Sequence, residues 1–208
     1  VVFVGDADAG VDGGGPGGGG AAGGEDAPDL GGAVAGGAAA GAEVAAGEAL
    51  GLRHAGLKAL ASLRMEKAYR DYGHDIDNTD SVLEAGLGFA VAVDKPGGFI
   101  GRDAVLAQRA AGPLTSRLLQ VRLLDPEPLM HHAEIVLRDG APVGYVRAAS
   151  YGHTLGGAVG LAMVDAGEPL TADWIAGGAW EIDVAGERYP ATASLRPMYD
   201  PENARIRA

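Results

Sequence analysis

Cysteine is absent from all 208 residues, which rules out disulfides, a thiolate metal site and a cysteine nucleophile. Lysine and arginine are absent from the first 52 residues, where eight acidic residues fall within the first 50. No apolar run approaches the ~20 residues that span a bilayer. The opening VVFVGDADAG has no positive n-region, so export is not expected and the expected location is cytoplasmic. The net charge of −12 repels phosphate backbones and anionic lipid, so neither nucleic acid nor membrane is expected as a partner. His131, His132 and His153 lack the H-x-x-H and H-E-x-x-H spacings, and no metal site is expected. Neither G-x-S-x-G, nor G-x-G-x-x-G after Gly5, nor a phosphate-binding G-x-x-x-x-G-K occurs, and no catalytic residue is named.

What is present divides unevenly. The first 50 residues hold 17 of the 36 glycines, in runs such as GGGPGGGGAAGG. With so few large apolar side chains, residues 1–44 read as a disordered tail or linker, allowing a short strand at Val1–Val4 and a frayed alanine-rich helix over Ala33–Ala46. From Arg53 onward, 16 basic residues face 20 acidic ones, and periodic patterning begins. Leu57, Leu60, Leu63 and Arg64, then Lys67 and Ala68, recur at helical spacing, with Lys67, Arg70 and Gly73 fitting a helix C-terminus. The following DIDNTDS carries side chains suited to satisfying their own backbone in turns. Val82–Val93 reads as extended, with Leu87, Phe89, Val91 and Val93 on one side. A helix over Arg102–Ala111 follows the Lys95–Gly98 turn and stops at Gly112-Pro113. Strands are then expected at Leu118–Leu124 and Val159–Val164, with hairpins at Glu134–Ala149 around Asp139-Gly140 and Trp180–Ser194 around Ala185-Gly186. Trp174 and Trp180 read as core anchors. The expected class is α+β, a helical portion followed by a small antiparallel barrel or sandwich.

SLRMEKAYRDYGHDI, LEAGLGFAVAVDKPGGFIGRDAVL, DGAPVGYVRAASYGHTLGGAVGLAMV and ERYPATASLRPMYDP, in that order, resemble the aminomethyltransferase (glycine-cleavage T-protein) superfamily. The likeness covers roughly Ala45 to Ala208 and favours the folate-binding C-terminal half of dimethylglycine and sarcosine dehydrogenases. It implies residues 45–113 as the end of a folate-binding domain and residues 114–208 as a β-barrel domain. It implies tetrahydrofolate as cofactor, a one-carbon (aminomethyl or methylene) transfer, and FAD held in a separate N-terminal domain or subunit as partner. Position by position, it implies folate contacts at Phe89, Arg64, Glu66, Glu84, Arg196 and Tyr199. Residues two apart on a helix diverge by roughly 200°, so Arg64 and Glu66 cannot both face one ligand.

Two departures qualify those implications. Leu60 stands where glycine-cleavage T-proteins keep an arginine, which favours the dehydrogenase branch. The family's pterin-binding carboxylate and catalytic Asp lie upstream of the match, where this chain has the glycine–alanine tract. Gly24-Glu25-Asp26 is similar to the family's G-E-D/L segment but lacks the aromatic and β-branched neighbours of that strand. Weak or no folate binding, and no turnover, is therefore expected of this chain alone. A non-catalytic barrel module of a larger FAD oxidoreductase, or an inactive truncated or frame-shifted fragment, are the alternatives.

Overall fold

The computed structural model of the chain describes residues 2–4, 41–205 and 207. The glycine tract expected to be disordered, with Gly24-Glu25-Asp26, lies outside the described residues apart from positions 2–4 and 41–44. The chain divides into two compact units, residues 1–57 and 58–208. In the first, strand β1 (Val2–Val4) pairs antiparallel with β2 (Leu52–His54), Phe3 opposite Arg53. Residues 41–47 are helical and run into a 3-10 turn at Glu48–Leu50, closed by Gly51 in the left-handed conformation that suits glycine.

The second unit is built on a closed antiparallel barrel. Its strands are β3 (Ser116–Leu123), β4 (Ile135–Arg138), β5 (Ala141–Gly152), β6 (Gly157–Asp165), β7 (Trp180–Val184) and β8 (Glu187–Ser194), in the order β3-β6-β5-β4-β7-β8. Of the two β architectures open to the sequence, the barrel is the one formed. Closure leaves no free sheet edge. Both expected hairpins form, turning at Asp139-Gly140 and Ala185-Gly186. Leu119, Val121 and Leu123 of β3 join Ala158, Ala162 and Val164 of β6 in the interior, with Val136, Val146, Trp180 and Ile182. Each large aliphatic side chain so buried contributes about 1.5–3 kcal/mol. Gly144 permits the closest strand approach: a Cβ there would sit 2.0 Å from the Met163 carbonyl oxygen.

The alternate residues of β3 and β6 are buried too, against the preceding segment. Helix α1 (Leu57–Glu66) and the loop after it place Met65, Ala68, Ile76 and Ala85 on Leu118, Val159 and Leu161. Burial on both faces is why β6 reads as a continuous apolar run rather than an alternation. Helix α2 (Arg102–Ala110) forms at the expected place, and a short α3 (Ala172–Ala176), capped by Thr171, was not signalled by the sequence. The closing segment after β8 is loop.

Two expectations are corrected. Helix α1 ends at Glu66, well short of Gly73. Ala68 enters the left-handed region (φ 52°), with its N–H on Met65 O at 3.0 Å and the Tyr69 N–H on Arg64 O at 2.8 Å. This is a Schellman termination with alanine where glycine usually sits. The strand expected over Val82–Val93 does not form. Ser81 and Glu84 close a reciprocal capping box, Oγ accepting from Glu84 N (3.1 Å) and Oε2 from Ser81 N (3.0 Å). Gly86 then turns at φ 70°, and Gly88–Ala90 is a 3-10 turn. Leu87 packs inward, but Phe89 is 87% exposed rather than core.

Candidate functional site

The termination of α1 and the chain reversal at Gly86 border one cleft of about 660 Å³. Tyr69, Tyr72, Leu87 and Phe89 give it aromatic and apolar walls, and Lys67, Arg70 and Arg196 place cations around it. No carboxylate is among its lining residues. Tyr69, Tyr72 and Phe89 are all solvent-exposed, so their ring faces are available for stacking.

Three ties fix this geometry. Gln120, buried on the outward face of β3, donates Nε2 to Met65 O (2.7 Å) and Glu66 O (3.1 Å). It thereby gives the Glu66 carbonyl its partner and adds a second donor to that of Met65, capping the end of α1 from another element. Its Oε1 accepts from Met198 N (2.6 Å), drawing in the closing segment that carries Arg196. Lys67 donates Nζ to Asp200 O (2.6 Å) and Oδ2 (3.1 Å), a nearly buried pair that anchors the same segment. Burial acts to raise the pKa of the Asp200 carboxyl, but hydrogen bonds from Lys67 and the N–H groups of Ala204 and Arg205 outweigh it, and the pKa lies below the ordinary carboxylate value. Fully buried Asp75 accepts from Arg64 Nη1 (2.6 Å) and Asp71 N (2.8 Å), setting the loop after Tyr72. Within the loop, Asp77 Oδ1 accepts from both N and Oγ1 of Thr79, and these bonds hold its pKa below the ordinary value.

Of the six residues expected at a folate site, the structure brings Phe89 and Arg196 to the cleft. The other four stand elsewhere. Arg64 is engaged by Asp75 and the Tyr69 carbonyl. Glu66 is 2% exposed, its Oε1 accepting from Thr154 N (2.6 Å) and Leu155 N (3.0 Å) in the β5–β6 turn. Glu84 closes the capping box. Tyr199 is half-buried with its ring centroid 5.9 Å from Lys67 Nζ, and it is not among the residues that line the cleft. The divergence inferred for Arg64 and Glu66 thus sends each to a different internal partner. Tyr72, Arg70 and Lys67 were not among the expected ligand contacts. Lys67 and Arg70 stood out only as helix-end cations, and no sequence signal marked Tyr72. Arg70 donates Nε to Ala85 O (2.9 Å) and Nη1 to Ala68 O (2.6 Å), which aims Nη2 past Gly86, where a Cβ would lie 2.7 Å from it.

The model of the glycine cleavage T-protein C-terminal barrel domain matches residues 117–200, and that of the GCVT N-terminal domain matches residues 37–95. The chain belongs to the glycine-cleavage T-protein superfamily. The second match begins upstream of Ala45, where the likeness was first legible. The chain is 46% identical over 162 residues to 4-methylaminobutanoate oxidase (formaldehyde-forming) of Paenarthrobacter nicotinovorans, covering 78% of this chain and 19% of that protein. It is 37% identical over 164 residues to human mitochondrial sarcosine dehydrogenase, covering 78% and 18%. The crystal structure of the glycine cleavage system aminomethyltransferase T from Bartonella henselae shares the fold, with a TM-score of 0.59 at 21% identity over 70% of this chain and 39% of that one. The chain therefore spans about a fifth of the length of the two enzymes. Among the described residues, no helix is long and apolar enough to cross a membrane.

Proposed function

We propose that the chain supplies the aromatic and cationic side of a tetrahydrofolate site, serving a one-carbon transfer enzyme of sarcosine or dimethylglycine dehydrogenase type. FAD chemistry on an N-methyl amine belongs, in this reading, to a separate domain or subunit, and the setting is cytoplasmic. The observation that carries it is the cleft itself, three exposed aromatic rings beside three cations in a chain of this superfamily. A pterin is flat and needs an apolar slot, and a glutamyl tail needs cations. The names of the two relatives support the amine class, since sarcosine and 4-methylaminobutanoate both carry an N-methyl group.

The fit of tetrahydrofolate to these residues is partial. Tyr69, Tyr72 and Phe89 suit the ring. Arg196 suits a carboxylate, because its partner Glu202 is exposed and such a pair exchanges readily. Lys67 is committed to Asp200. No described carboxylate lines the cleft to accept from the pterin 2-amino and ring N–H groups. No transfer step is assigned to these residues. The missing acceptor also favours, as second reading, a non-catalytic barrel module of a larger FAD oxidoreductase.

Calorimetry with tetrahydrofolate separates the two. Binding weaker than about 100 μM, abolished by Phe89→Ala, is the expected result. Micromolar binding by the chain alone overturns the partial-site reading, and no binding at millimolar ligand leaves the module reading in its place.

A further inference from the structure

Phe89 and Gly86 also border a second cavity, of about 430 Å³, lined further by Leu83, Gln108, Arg109 and Arg117. Arg117 projects from β3 and Arg109 from the last turn of α2. Arg109 donates Nη2 to the Gly88 carbonyl (3.1 Å), fixing its guanidinium on the rim. The Arg117 side chain makes no hydrogen bond and no ion pair with any described residue, and its Nε is buried. A guanidinium keeps its charge and five N–H groups under all conditions, so desolvating one without an acceptor is costly. Burial lowers the Arg117 pKa from its ordinary value. Arg70 is lowered by burial too, against the pull of Asp75, and Arg117's charge lowers it further. Asp75 accepts from Arg64 and from Asp71 N through Oδ2, it does not line the cavity although its Oδ1 is unpaired, and no described carboxylate lines that cavity.

We infer that this cavity is an oxyanion site, in which Arg117 and Arg109 grip the carboxylate of a small acidic ligand whose apolar stem lies on Leu83 and Phe89. The planar arginine fork matches a carboxylate, and the Gln108 amide offers a further donor. The inference stands on the cavity's own lining and not on the folate reading.

The 208-residue chain is titrated with glutarate and with inorganic phosphate while the Arg117 Nε–Hε signal is followed by NMR. The signal is expected to move and saturate with a Kd on the order of 1 mM for at least one of them. Arg117→Met weakens that binding about tenfold or more in calorimetry. Without ligand the same variant melts above the wild type, because an uncompensated cation has been removed. Arg109→Met, on the exposed rim, weakens binding and leaves the melting temperature unchanged. An Arg117 signal unmoved by both acids, or unchanged affinity in Arg117→Met, overturns the proposal. Competition identifies the acid's source within the proposal. Displacement of glutarate by tetrahydrofolate, but not by a tetrahydropterin lacking the glutamyl tail, assigns the pocket to the acid end of a ligand seated across Phe89. Displacement by neither assigns it to a free small acid. Failure of tetrahydrofolate to bind at all leaves the glutarate titration intact, so the two readings fail separately.

Discussion

Gln120 carries more of the site's geometry than any residue lining the cleft. One buried amide satisfies two terminal carbonyls of α1 and the N–H of Met198, and so holds both cleft walls to the barrel. Nothing local in the sequence SRLLQVRL marks it, because its partners lie 54, 55 and 78 residues away. Periodicity sees only a polar residue on the outward face of a strand. Gln120→Ala leaves the Glu66 carbonyl and the Met198 N–H unpaired, and a loss of about 2–4 kcal/mol is expected in denaturant unfolding. The same blindness explains Arg64 and Glu66. Their placement on α1 was legible, whereas the acceptor Asp75 and the β5–β6 turn that engage them are fixed by packing. Glu84 differs, because Ser81-x-x-Glu84 is a capping-box pattern readable in the sequence. Reading it would have placed Glu84 in a turn rather than at a ligand.

At the level of elements, the barrel strands were the most legible. Hairpins turning at Asp139-Gly140 and Ala185-Gly186 formed where turn chemistry put them, and α2 began and ended nearly as expected. The end of α1 was not legible, since its left-handed residue is Ala68 and the nearest glycine downstream is Gly73. Alanine tolerates that conformation at about 1–2 kcal/mol, offset here by burial of Ala68 against the barrel. The closing loop is the element whose docking responds to pH. The folded pKa of Asp200 lies below its ordinary value of 3.8. Its contribution is therefore complete above that value and is lost as pH falls through the folded pKa. Melting curves from neutral to acid pH are expected to show Asp200→Asn less stable than wild type at pH 6. The gap should close below the ordinary carboxylate range. A gap that persists at the lowest pH contradicts the assigned role of the carboxylate.

For the molecule as a whole, sequence and structure agree on an α+β fold closed by a six-stranded barrel, and the family matches supply the superfamily. From the sequence, a pterin site on this chain is expected to be incomplete, because the family's acid-bearing segment lies upstream of the stretch that carries the resemblance. What was not legible is that Tyr69, Tyr72, Phe89, Arg70 and Arg196 would line one cleft. The aromatic and cationic residues converge only because α1 stops early and Gly86 reverses the chain, two events without a clear local signature. The most direct measurement is amide hydrogen exchange with and without millimolar tetrahydrofolate. Slowed exchange confined to residues 67–76, 86–90 and 195–203 is the expected result, because those segments wall the cleft. Protection centred instead on residues 97–104, or no change anywhere, contradicts the placement of the site.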